Sequence, residues 1–394
     1  MHIFWYLPTQ GDERYISSPV GQRPPTFDYL KQITQAVDQL GYEGMLLGTG
    51  LKQDPWIIAT ALISATKRLK FLIAHRPSIY PPSLAARQAA TFDQISRGRL
   101  LLNIVTSGGS LKHDGVFLDH DERYVVTDEW LEIYRRLFLE ESVTFAGKHL
   151  HIEGGRQLFP SVQQPYPGLF FGGSSEPALE VAGKHVDVYL TWGEPPHLAK
   201  EKFDKVREHA AKHGRTVRFG VRAQVVVRET SAEAWEAAYK IISRVDNATI
   251  ERAQKQMKNS DSEGQRRIQA LHGGDRSNLE IFPNLWGGIG LVRGGAGTAF
   301  VGSAAEVVEL LHKYEEVGAD HFVLSGYPHL EEAYHFAENV FPLINLEYDD
   351  PTKPRLADTD ASNGHAHGAS ANDLSVLSHY HNLRGGQPAE PTAR

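Results

Sequence analysis

Leu69–Gly109 reads LKFLIAHRPSIYPPSLAARQAATFDQISRGRLLLNIVTSGG. Leu69–Ala74 is a short apolar run ending in His75-Arg76-Pro77, Ser83 to Ser96 is helical, and Arg99–Val105 is a second apolar run ending in Thr106-Ser107-Gly108-Gly109. Short continuous apolar runs between breakers read as buried strands. Strands separated by a helix imply parallel pairing.

The same unit repeats in both directions. Upstream, His2–Leu7 is a strand, and Phe27, Leu30, Ile33, Val37 and Leu40 recur at helical spacing up to the stop at Gly41. Glu43–Leu47 is a strand ending in Gly48-Thr49-Gly50, and Trp56 to Thr66 is a helix. Downstream come a helix from Thr127 to Leu139 and a hairpin over Val143 to Ile152. The strand Leu169–Phe171 opens into Gly172-Gly173-Ser174-Ser175, and Val186–Leu190 ends at Thr191-Trp192-Gly193. After the helix Leu198 to His213, the strand Arg218–Arg228 precedes a capping box of Thr230 and Glu233. Asn247 to Pro283 is polar and breaks the rhythm, Ser303 and Glu306 cap a further helix, and Asp320–Leu324 is the last strand, leading to Tyr327 and His329.

Eight such units are enough to close a (β/α)8 TIM barrel with insertions; an open doubly wound sheet is the competing architecture. We expect a barrel over residues 1–348, an insertion over 247–302, and a polar segment from 349 to 394 that is a flexible tail or an arm onto a neighbouring subunit. Gly364-His365-Ala366-His367 in that segment is suited at most to adventitious metal binding.

The chain carries 41 basic and 48 acidic residues, a net charge of −7, with no long run of either sign, so neither nucleic acid nor an anionic membrane is an expected partner. It has no cysteine, which excludes thiolate nucleophiles, disulfides and iron–sulfur ligation. The first residues lack the pattern of a signal peptide and no apolar run approaches a membrane span, so a cytoplasmic protein is expected.

A barrel places its site at the carboxyl ends of the strands. No lysine stands there for Schiff-base chemistry, and no Asp, Glu and His cluster has ligand spacing, so neither a metal hydrolase nor a functional metal site is expected. Gly172–Ser175 before a helix is either an anion cradle or a simple cap. Arg222 lies inside the apolar run F-G-V-R-A-Q-V-V-V with Gln224 on the same face, and calls for either an anion or an internal salt bridge. Asn284–Gly302, N-L-W-G-G-I-G-L-V-R-G-G-A-G-T-A-F-V-G, is glycine-rich around the lone Arg293, and reads as a mobile lid or a plain surface loop. Trp192 and Tyr327 are either an aromatic wall or ordinary core. Neither G-x-G-x-x-G nor a P-loop occurs, so no dinucleotide or triphosphate site is expected.

The runs F-W-Y-L-P-T-Q-G-D (4–12), F-G-G-S-S (171–175), Y-L-T-W-G-E-P-P (189–196), N-L-W-G-G-I-G-L-V-R-G-G-A-G-T-A (284–299) and L-S-G-Y-P-H-L-E-E-A-Y (324–334) resemble the bacterial alkanesulfonate monooxygenases of the luciferase-like group, over roughly residues 1 to 345. The resemblance implies a two-component system. A separate NAD(P)H:FMN reductase delivers FMNH2, and this chain binds it with O2 and a sulfonate, releasing sulfite and an aldehyde. It implies a homo-oligomer, dimer or tetramer. It assigns catalytic roles to Trp192, Arg222, Arg293 and Tyr327, with Arg293 on the lid, and places the flavin against Thr49, Asn103, Thr106, Tyr124, Gly173, Ser174 and Ser175.

Three departures bear on substrate. Gln10 stands where the family has histidine in T-H-G-D, Arg222-Ala223-Gln224 replaces R-x-H, and Leu51-Lys52-Gln53-Asp54 lacks the family's cysteine. Carboxamides both donate and accept hydrogen bonds. Gln10, Gln53 and Gln224, with His329, therefore suit a polyhydroxylated sulfonate such as sulfoquinovose, giving 6-oxo-glucose. A linear alkanesulfonate is the alternative substrate, and a deazaflavin-dependent dehydrogenase of the same fold the more remote alternative.

Overall fold

In the computed structural model, described over residues 1–50, 53–106, 111–258 and 260–353, eight parallel strands close on themselves. They are β1 (His2–Leu7), β2 (Gly44–Leu47), β3 (Lys70–His75), β4 (Leu100–Ile104), β5 (Gly168–Gly172), β6 (Val188–Trp192), β7 (Arg218–Arg228) and β8 (Ala319–Ser325). Each pairs with the next, and β8 pairs with β1 through His2↔His321 to Trp5↔Leu324. This is the (β/α)8 barrel, and the open sheet is excluded by its closure.

Alternation along the strands divides two cores. Phe4, Leu46, Leu72, Leu101, Phe170, Val188, Leu190 and Val323 fill the barrel interior. The opposite faces, with Trp5, Leu47, Phe71, Leu102, Phe171 and Phe219 among them, pack under the surrounding helices. Filling the lumen with side chains makes the barrel solid, so function is confined to its rims.

The expected helices form with small shifts at their ends. The largest shift is at the fourth strand's helix, which spans His120–Leu139 rather than starting near Thr127. Asp119 caps it by accepting from the Glu122 N–H at 3.1 Å, and this brings Tyr124 into the helix. Both predicted capping boxes, Thr230 with Glu233 and Ser303 with Glu306, are formed.

The insertion departs more. β7 is long, and only its first part is needed to close the barrel. From Gln224 to Arg228 it pairs in parallel with a strand that the sequence reading missed, Ala299–Ser303, which in turn pairs with Leu285–Trp286 and then Glu280–Phe282. An overhanging strand leaves unpaired N–H and C=O groups, and this small sheet satisfies them. Asn284–Gly302 is therefore mostly buried scaffold rather than a mobile loop throughout: Trp286, Ile289, Leu291, Thr298 and Phe300 are buried. Gly290 donates to the Gly297 carbonyl at 2.8 Å, and a Cβ on Gly297 would lie 2.7 Å from the Gly290 Cα, so the two backbones can cross this closely only with glycine at 297. Two helices, Asn247–Lys258 and Glu263–His272, complete the insertion.

Asp349, placed by the sequence reading at the start of the tail, is tied to the barrel by Arg218 and by its own N–H to Glu43. Residues 51–52, 107–110, 259 and everything from 354 onward, including the His365–His367 motif, lie outside the described residues. Among the described residues no helix is long and apolar enough to cross a membrane.

Candidate active site

A cleft of about 880 Å³ opens at the carboxyl ends of the strands, between the barrel and the insertion. β4 brings Asn103 to it and the chain just beyond brings Thr106. The turn after β5 brings Gly173, Ser174 and Ser175, and the helix His120–Leu139 brings Tyr124. β6 ends in Trp192, β7 supplies Arg222 and Gln224, and the insertion supplies Arg293. Ten of the predicted residues thus line one cleft, from segments far apart in the chain.

Arg222 projects from the middle of β7. Its Nη1 donates to the carbonyls of Ala223 at 2.7 Å and Val323 at 3.3 Å, and its Cζ lies 5.0 Å from the Tyr6 ring centroid. Among the described residues no carboxylate pairs with it, so the internal salt bridge is absent. Burial pulls its pKa down to about 10; Tyr6 opposes the fall and the positive charge of Arg293 adds to it. Two guanidinium groups near enough for the charge of Arg293 to weigh on Arg222 form a site suited to an anion. Among the described residues Arg293 likewise has no carboxylate partner. Its Nη1 donates to the Tyr327 hydroxyl, and its Cζ lies 5.5 Å from that ring's centroid.

The opposite side of the cleft carries groups that suit an anion. Ser175 stands at the N-terminus of the helix Glu176–His185, where its side chain makes no cap hydrogen bond. Its hydroxyl is buried and completes no hydrogen bond of ordinary geometry, although the Tyr124 phenol is beside it. Burial pushes that phenol above its usual range, with Ser175 pulling the other way, so Tyr124 stays a neutral donor. Free N–H groups, a helix dipole and two hydroxyls favour a dianion.

Five predicted residues do not line the cleft. Tyr327 is buried and reaches it only through Arg293. His329 is buried behind it: its Nδ1 lies 2.8 Å from Asp12 Oδ1, its N–H donates to the same carboxylate at 2.9 Å, and its ring meets Tyr327 edge-on at 5.3 Å. Burial alone would raise the Asp12 carboxyl, but His329 holds it below the usual range. Gln53 donates to the Pro25 carbonyl at 2.8 Å, Gln10 packs its carboxamide against Gly50, and Thr49 is half-buried nearby. Gln224 does border the cleft, but its carboxamide donates to the Ala296 carbonyl at 3.3 Å and accepts from Ser325.

Residues the sequence reading passed over complete the site. Tyr6, Leu46, His120, Gln256, Met257 and Gln265 line it. Tyr6 was findable, since it alternates with Phe4 on the inward face of β1. Gln256, Met257 and Gln265 come from a polar stretch with no strand–helix signal. Glu194 anchors that stretch: fully buried, it accepts from Arg267 at 2.6 and 2.9 Å and pairs with Lys202. Gly264 of the insertion sits on Trp192 so closely that a side chain there would meet the indole at 3.1 Å. Gln265 accepts from the Gly295 N–H at 2.9 Å, joining this helix to the Arg293 segment.

The match to known proteins fits this geometry. The family model described as luciferase-like monooxygenase matches residues 1–321. The chain belongs to the luciferase-like monooxygenases. The family match makes the chain an oxidoreductase of the monooxygenase type. Solved structures of similar fold include a riboflavin lyase with modified FMN and riboflavin and a long-chain alkane monooxygenase. Each has a TM-score of 0.72 and 21% identity; they cover 89% of this chain, and 94% and 93% of their own. An EDTA monooxygenase from Chelativorans sp. matches with a TM-score of 0.70 and 16% identity, over 89% of this chain and 96% of its own. At these identities the structural likeness shows the luciferase-like fold alone.

Proposed function

We propose that this luciferase-like monooxygenase oxidises an organic sulfonate. The observation that carries the reading is the pair Arg222 and Arg293, both bordering one cleft and, among the described residues, neither neutralised by a carboxylate. A sulfonate is a permanently ionised tripod of oxygens, and two guanidinium groups hold it through charge-assisted bonds.

FMN fits the remainder. The buried, unpartnered Ser175 hydroxyl, the Ser174 hydroxyl and the helix N-terminus would hold its phosphate, with Tyr124 beside them. Asn103, Thr106 and Trp192 would border its ring system. Reduced FMN, arriving from a separate NAD(P)H:FMN reductase, supplies the two electrons that activate O2. One oxygen atom enters the product aldehyde and the other leaves as water, while the carbon–sulfur bond breaks to release sulfite. The chain's own part is to fix the sulfonate against Arg222 and Arg293, to hold Arg293 through Tyr327, and to cover the reaction with the insertion so that water stays out.

Within this class we favour a sulfosugar, sulfoquinovose giving 6-oxo-glucose. The cleft is rich in polar side chains beyond the anion pair, with Gln224, Gln256, Gln265, Ser260 and Ser262 on its walls. Gln10, Gln53 and His329 act at a distance, by packing behind the cleft. We take the enzyme to work in the cytoplasm as a homo-oligomer. The test is to incubate the protein with FMN, a flavin reductase, NADH and O2, and to assay sulfite over a panel of sulfonates. Sulfite from sulfoquinovose is the expected result. Release only from octanesulfonate would overturn the sugar assignment, and no sulfite from any member would overturn the sulfonate reading itself.

A further inference from the structure

The rim of the barrel opposite the cleft carries a cluster that oxygenation does not use. His2 and His321 are register partners on β1 and β8, and their rings stack 4.4 Å apart at 15°. A carboxylate fixes each ring from behind. Glu43 Oε2 lies 2.7 Å from His2 Nδ1, and Asp320 Oδ1 lies 2.6 Å from His321 Nδ1. Such a carboxylate keeps the proton on Nδ1 and presents Nε2 as a lone-pair donor, the arrangement of metal-ligating histidines. His321 Nε2 is fully buried and has no hydrogen-bond partner. Asp349 arrives beside the two rings, with its Oδ1 4.0 Å from His2 Nε2. The three ligand atoms lie within 4.8 Å of one another.

We propose that His2, His321 and Asp349 bind a divalent cation, with zinc the fitting ion, which pins the chain beyond the last helix to the floor of the barrel. Two imidazoles and one carboxylate are a borderline-soft donor set with a position left over for water. Glu347 is the protein alternative for that position, its Oε2 3.4 Å from His2 Nε2. Zinc bonds of about 2.0–2.2 Å require the ligands to draw in by roughly an ångström and the two stacked imidazoles to splay until both in-plane lone pairs meet the ion. Asp349 is partly exposed and lies on the chain past the final helix, so it can follow that movement. Arg218 already forks onto both Asp349 oxygens at 3.0 and 2.7 Å, but each oxygen keeps a further lone pair. Lys70 is occupied by Glu43 at 2.6 Å and by the Asp349 carbonyl at 2.7 Å. The ligands stand at positions 2, 321 and 349, so no sequence spacing announces them.

The competing description is an ion-free network in which His2 bridges Glu43 and Glu347. Metal analysis separates the two. The full-length chain carrying His365→Ala and His367→Ala, which removes the adventitious motif, is stripped with chelator and dialysed against micromolar Zn2+. One zinc per chain and a melting temperature raised by a few degrees are expected, together with visible d–d absorption on loading with Co2+. His321→Gln and Asp349→Asn should each weaken zinc binding at least tenfold. Asp349 is accessible enough that its asparagine variant will fold if His321→Gln does not. Undiminished zinc in Asp349→Asn, or neither zinc nor a thermal shift in the reference chain, overturns the proposal.

Discussion

The Arg293 guanidinium lies over the Tyr327 ring, its Cζ 5.5 Å from the centroid, and donates to the phenol oxygen. Tyr327 is itself buried, backed by the His329–Asp12 pair. The phenol is thus a fixed post that orients a cation on the insertion. Tyr327→Phe keeps the ring and removes the oxygen. A hydrogen bond to a charged group contributes roughly 1.5–3 kcal/mol, so KM for the sulfonate should rise about tenfold or more. A smaller change in kcat would mark Tyr327 as positioning Arg293. A fall in kcat with KM unchanged would instead place the phenol in the chemical step, and no change in either would remove it from the site.

Arg222 presents the opposite balance. Among the described residues it has no counter-ion, and burial already pulls its pKa down to about 10. A cation held without an anion costs stability when the site is empty. Arg222→Met should therefore raise the melting temperature of the ligand-free protein while weakening sulfonate binding by about a hundredfold or more. Thermal melts with and without substrate, alongside KM, measure both halves. A variant that melts lower and keeps its KM would contradict the assignment of Arg222 as an anion ligand.

Glu194 at the end of β6 holds the insertion through Arg267 and steadies Lys202. Removing its charge leaves two cations without their partner in a buried place. Breaking a buried pair of this kind costs about 3–5 kcal/mol. Glu194→Gln should fall in that range by urea denaturation, and limited proteolysis should cut first within residues 247–298. Arg267→Ala, which leaves the Lys202 pair intact, should expose the same segment at a smaller cost. Cleavage elsewhere in both variants would show that the insertion is held by its other contacts.

The barrel was legible because each strand is a short apolar run closed by a polar or glycine-rich end, as in Leu69–Gly109. The cleft followed from those ends: Trp192, Arg222 and Ser175 stand where strands stop or cross the rim. What escaped is nonlocal. Ala299–Ser303 is a strand only because the far half of β7 needs a neighbour, and nothing in its own few residues says so. Gln10 and Gln53 sit in strand-end loops as expected, yet Gln53 turns to the Pro25 carbonyl, a contact that depends on where a distant turn lands. Glu194 and Arg267 look like ordinary surface charges until the insertion folds over them.

His75 gives a prediction on pH. It ends β3 among Trp56, Tyr80 and Trp130, and its Nδ1 accepts from the Trp56 indole at 3.2 Å. Burial alone pulls its pKa down to about 3, so the folded protein keeps the ring neutral. The unfolded chain titrates near the ordinary value of about 6.5. Above that pH neither state takes a proton and the full stability is present. As pH falls toward 3 the unfolded chain gains a proton that the folded chain refuses, and stability is lost at up to about 1.4 kcal/mol per pH unit. His75→Gln keeps an acceptor for Trp56 and cannot titrate. Its urea midpoint should fall less steeply than that of the parent between pH 7.5 and 5, while His185, buried and pulled down to about 4, continues to contribute the same slope to both. A difference between the two proteins that stays constant across that range would show that His75 is protonated equally in the folded and unfolded states.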